Sequence, residues 1–206
     1  MVECHLDVVE VVGSSPSPPS YEAYPIWVRF FYYHTICRLT WQAARRADMR
    51  VFDVANNSIK SVMNQLLKGS AFDNFLVRGV EISVFTRFEI SGILDKNYYP
   101  EAERGAINRN YVYWHEVKPF IFSLIKGGRA PGMLKIIFSA ADEDVKNLHN
   151  NASAMFLNFL YEENKLRFTS AVGLQGFTLD KTPDLIWDAY VQSFISKNEW
   201  TVSTLN

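Results

Sequence analysis

The sequence predicts an α+β fold: a mainly antiparallel sheet with two helices packed on one face, plus a C-terminal helix. Three observations carry this. Segments of period-two alternation outnumber segments of helical period, as half-buried strands require. Aromatic residues make up 15% of the 206-residue chain, with 15 Phe and 10 Tyr, a composition that suits a sheet core better than a helix bundle. The order of the segments is strand, helix, strands, helix, strands, helix, with runs of strands rather than strict alternation with helices.

The periodic segments begin at Met49. MRVFDV predicts a short strand with Val51 and Phe52 turned inward. NNSIKSVMNQLLKG follows as a helix. Ile59, Val62, Met63, Leu66 and Leu67 fall on one stripe, Asn57 or Ser58 stands where an N-cap belongs, and Gly69 where a helix stops. From Phe72 the chain alternates, with Val80, Ile82, Val84, Phe88 and Ile90 inward and Glu81, Ser83, Arg87 and Glu89 outward. Three strands are expected there, at about 73–77, 79–85 and 86–95. Residues 100–110 read as a polar loop. A second helix runs from about Trp114 to Lys126, with Val117, Phe120, Ile121, Leu124 and Ile125 as its stripe and Gly127-Gly128 as its stop. Strands are predicted at 133–140, 153–162 and 165–173, the last two joined by a Glu163-Asn164 turn, with one more at 176–181. Thr182-Pro183-Asp184 starts the final helix, with Leu185, Ile186, Ala189, Tyr190 and Phe194 expected on its buried side.

Residues 1–48 differ from this body. The stretch GSSPSPPSYEAYP has the composition of a linker, and both cysteines, Cys4 and Cys37, lie in this part. The expected organisation is therefore an extension over 1–48, Pro/Ser-rich and either disordered or an upstream misassigned start, and a single α+β domain over 49–206. The first ten residues carry Glu3, Asp7 and Glu10 and no basic residue, unlike a secretory signal. IWVRFFYYHTICRLTW, interrupted by Arg29, His34 and Arg38, is shorter than the ~20 apolar residues a spanning helix needs. A cytoplasmic protein is expected. The net charge is −1, from 21 basic and 22 acidic residues, so a strongly basic nucleic-acid wrapper is excluded as a class.

The body offers little for catalysis. His115 and His149 are isolated and cysteine is absent, so neither a zinc site nor a nucleophilic thiol is indicated, and no cofactor is expected. Asp142-Glu143-Asp144 lacks the spacing of a calcium loop and reads as a solvated loop. GGRAPG, residues 127–132, follows a helix and precedes a strand, the reverse of a phosphate loop, so it reads as a turn.

The stretches SIKSVMNQLLKGSAFDNFLV, MFLNFLYEENKLRFTSAVGL and FTLDKTPDLIWDAYVQSFISK resemble a small uncharacterised family from anaerobic Gram-positive bacteria, a domain of unknown function. The resemblance spans about Met49 to Lys197 and implies no activity. The element order is also similar to that of a DNA sliding-clamp domain, a likeness of architecture only.

Three functions are consistent with these observations. The first is a non-catalytic cytoplasmic binding or assembly module, contacting DNA through a clamp-like basic helix face. Lys60, Lys68, Lys118 and Lys126, with Arg129 at the edge, would make that face, and Glu116 would be its one acid. The second is an enzyme with an unfamiliar site around His115, Glu116 and Arg129. The third is an oligomer, or a partner of another protein, formed by pairing at a sheet edge.

Overall fold

The computed structural model describes residues 49–205 apart from 127–129 and 177. The expectations for 1–48, for the Gly127-Gly128 stop and for Arg129 lie outside the described residues. The elements are β1 (Val51–Val54), α1 (Asn56–Leu67), β2 (Leu76–Ser83), β3 (Arg87–Ser91), a 3-10 turn (Lys96–Tyr98), α2 (Glu101–Arg104), α3 (Trp114–Ile125), β4 (Met133–Ser139), α4 (Asp142–Leu148), β5 (Ala152–Glu162), β6 (Lys165–Leu174), α5 (Thr182–Lys197) and β7 (Val202–Leu205). The strands form one seven-stranded sheet in the order β3-β2-β4-β5-β6-β1-β7. Every neighbouring pair is antiparallel.

Residues opposed in an antiparallel ladder point to the same face, so the register locates the core. One row crosses five strands as Val80, Ile136, Phe159, Phe168 and Phe52. The next runs Ile82, Leu134, Tyr161, Leu166 and Val54. All ten are buried. Phe72, in the turn before β2, joins this face to the helices. Its ring lies 5.4 Å from Phe138 and 5.3 Å from Phe194 of α5, and 5.6 Å from Trp200.

Helices α1, α3 and α5 all cover this one face. Val62 and Leu66 of α1 and Trp114 and Ile121 of α3 are buried. Trp114 Nε1 donates to Leu66 O at 2.7 Å, so the end of α1 meets the start of α3. Ile59 and Met63 of α1 share a cleft with Ile125 at the end of α3, so the two helices run in opposite directions. α5 docks through Trp187, Val191 and Ile195, with Trp187 Nε1 donating to Phe156 O at 2.8 Å. Its buried Asp188 accepts from Ser170 Oγ and faces Arg50 Nε at 3.5 Å.

Several boundaries and faces differ from those expected. Val51 is half-buried and turned away from the core, and Phe52 and Val54 are the inward pair. β2 is one strand where two were expected, because a bulge between Val77 and Gly79 inserts a residue and breaks the alternation. Residues 70–74 form turns instead of a strand. Neither Asn57 nor Ser58 caps α1. Ala55 stands at the cap without a side-chain bond, and Ser58 Oγ accepts instead from Thr201 N at 3.1 Å, tying α1 to the segment before β7. Phe120 is exposed, and Trp114 is the residue that anchors α3. Leu185 and Tyr190 are likewise exposed, so the buried side of α5 is the Trp187 face. Residues 178–181 form no strand. Asp142-Glu143-Asp144 is the first turn of α4 and not a loop, where three acids oppose the positive end of the helix. The polar loop contains α2. The Glu163-Asn164 turn forms as expected, with both residues at positive φ (51° and 59°), the geometry of a two-residue hairpin.

Candidate functional site

The expected basic face is built on α1. No acidic residue occurs in its twelve positions, and Asn57, Lys60, Ser61, Asn64 and Lys68 all face solvent. Lys60 and Lys68, the latter at the C-cap, are eight residues apart, about 12 Å along the axis and about 80° apart around it. Ala55 offers no side-chain oxygen to the first turn, so the amides there keep their partial positive charge. Lys68 also reaches toward α3, with its Nζ 5.9 Å from the Phe122 ring centroid. Lys126, just past α3, is exposed. A shallow cleft of about 540 Å³ flanks the row, with Ile59, Met63, Ile125 and Pro131 as apolar lining and Asn56, Lys60 and Asn164 as polar lining.

The structure removes one member of the expected set and does not describe another. Lys118 turns inward. Its Nζ pairs with Asp73 at 2.5 Å and donates to Gly69 O at 2.8 Å, and only 16% of its side chain is exposed. Spacing along α3 could not reveal this, because the partner acid lies 45 residues earlier. Lys118 therefore holds the α3 start to the turn after α1. Arg129 lies outside the described residues. Lys60, Lys68 and Lys126 remain as solvent-facing cations.

The residues grouped for an enzyme have other partners. Glu116 meets Arg109 through both oxygens at 2.6 Å and also accepts the Tyr113 amide at 2.6 Å. Burial alone would raise its carboxyl, but the Arg109 and Tyr113 hydrogen bonds outweigh this and hold it below the ordinary carboxylate range. The same hydrogen bond raises Arg109. His115 stacks on Tyr113, with ring centroids 5.6 Å apart, and its Nδ1 lies 3.1 Å from Asp73 O. His149 Nδ1 accepts from Asn151 N at 3.2 Å, and its Nε2 lies 3.9 Å from Asp180. Among the described residues no three His, Cys, Asp or Glu side chains gather as a metal site would need. No helix among them is long and apolar enough to cross a membrane.

A family model matches residues 65–203, more than half of the chain, and describes a family of unknown function, DUF5721. Neither a curated protein nor a solved structure matches.

Proposed function

The chain belongs to this family of unknown function, DUF5721, and we propose that it is a non-catalytic binding module of the cytoplasm that contacts duplex DNA through the outer face of α1 and the adjoining end of α3. The observation that carries the proposal is the acid-free solvent face of α1. Lys60 and Lys68 stand there with no carboxylate partner among the described residues, and Lys126 lies beyond α3. Ammonium groups spaced along a rod, with amide and hydroxyl side chains between them, suit phosphates regardless of base sequence. Two helices side by side on one face of an antiparallel sheet are also what a sliding-clamp domain turns toward DNA. That likeness supports the proposal at the level of architecture alone. The enzyme reading gains no observation, since Glu116 commits both oxygens to Arg109 and to the helix start.

The test is binding to a labelled duplex over a range of salt. Three lysine–phosphate contacts give a log–log slope of roughly −2 to −3. Lys60→Glu together with Lys126→Glu is expected to abolish binding at low salt and leave the melting temperature unchanged. Absence of binding at low salt, or binding indifferent to these substitutions, overturns the proposal.

A further inference from the structure

The face of the sheet opposite the helices carries an arginine, Arg78, whose surroundings are built and whose fork has no counter-group among the described residues. Arg78 is the extra residue of the β2 bulge: Val77 opposes Phe138 and Gly79 opposes Ile137, which leaves Arg78 without a ladder partner. The bulge is held from both sides. Gly92 crosses so closely that a Cβ there would lie 1.7 Å from Val77 O, so only glycine fits. Gly92 N donates to Arg78 O, and Gly92 O accepts from Val112 N. This brings Tyr111 over Arg78, with the guanidinium carbon 3.7 Å from the ring centroid. Phe156 borders it at 5.6 Å. On the same side Arg78 Nε donates to the buried Ser139 Oγ at 2.8 Å.

Arg109 shows what this fold does with a completed arginine. It too lies against a tyrosine, Tyr113, at 4.7 Å, and its fork grips the two oxygens of Glu116. Arg50, Arg87 and Arg167 likewise have carboxylates, and Arg104 donates to two backbone carbonyls. Among the described residues Arg78 has the aromatic seat and the Nε anchor but neither a carboxylate nor a carbonyl at its terminal nitrogens. The acids of its own strand and of β3, Glu81 and Glu89, turn to Arg87. A guanidinium fixed by stacking and by Nε presents the outward N–H of each terminal nitrogen in one orientation, matched to two oxygens of one group.

We infer that Arg78, seated on Tyr111 and anchored by Ser139, is a binding site for an oxyanion, a carboxylate or a phosphate group, taken end-on by its two terminal nitrogens. The inference concerns the face opposite the proposed DNA contact and rests on separate residues.

The experiment follows the Arg78 Nε–Hε resonance and the Gly79 and Tyr111 amides of the full chain by NMR. Sodium acetate, inorganic phosphate and sodium chloride are added at matched ionic strength. Saturable shifts with acetate or phosphate, and not with chloride, are expected, and the tighter of the two assigns the oxyanion. Arg78→Lys keeps the charge and loses the fork, so it is expected to weaken binding by about tenfold or more. Ser139→Ala frees Nε and is expected to weaken it severalfold. Shifts that match chloride, that fail to saturate, or that persist undiminished on the Gly79 and Tyr111 amides of a folded Arg78→Lys protein overturn the inference.

Discussion

At the scale of single residues, partners decide function more than residue type does. Lys60 and Lys118 look alike as helical lysines, yet one is exposed and the other closes the join between α1 and α3. In the sequence Glu116 reads as the one acid on a basic face and as a member of the alternative enzyme site with His115 and Arg129. It is instead the N-terminal clasp of α3, fastened to Arg109. Because its folded carboxyl is held low, its contribution is fully present above the unfolded value near 4.3 and disappears as pH falls through the lower folded value. Glu116→Gln is therefore expected to cost about 1–2 kcal/mol at pH 7, with both side chains partly screened. The gap to the parent should close as pH falls below the ordinary carboxylate value and through the lowered folded one. Denaturant melts across this range check it, and a gap that stays constant would show that the Arg109 pair is not the cause.

At the scale of elements, legibility followed the contrast between faces. α1 was readable because its polar face is purely polar, and β4, β5 and β6 because long strands alternate for many residues. α5 was not. Leu185, Ile186 and Tyr190 are as apolar as Trp187, Val191 and Ile195, so the pattern admits two buried faces and only the sheet chooses between them. The choice is enforced by groups periodicity does not weigh: the Trp187 indole on Phe156 O and the buried Asp188 on Ser170. Ile195→Ala is expected to cost about 2–4 kcal/mol and Leu185→Ala under about 0.5 kcal/mol. Equal losses in thermal or denaturant melts would contradict the assigned face. The bulge in β2 escaped notice for a related reason. A single inserted residue shifts the alternation, and an arginine beside a glycine at 78–79 reads as a break between strands. β7 escaped because four residues carry too little pattern, although Val202 and Val54 pair directly.

At the scale of the whole molecule, the described residues form one sheet with α1, α3 and α5 on a single face, and the candidate surfaces lie on opposite sides of it. The solvent-facing positions of Lys60 and Lys68 were legible in the sequence because they depend on one helix and its end; the pairing of Lys118 with Asp73 was not. The Arg78 seat was not legible, because Arg78, Tyr111, Ser139 and Phe156 come from four separate stretches joined only by sheet register. The described residues from β1 onward form a contiguous buried core, and a chain beginning at Met49 is expected to melt within a few degrees of the full chain. A loss of many degrees would mean that residues 1–48 contribute to stability.

The claim most in need of a direct test is that the outer face of α1 is the contact surface. Backbone amide shifts recorded while a short duplex is added report location as well as binding. The predicted result is a set of salt-sensitive shifts confined to Asn57, Lys60, Ser61, Asn64 and Lys68, extending to Lys126 and leaving Lys118 still. Shifts centred on the opposite sheet face, or none at low salt, would contradict it.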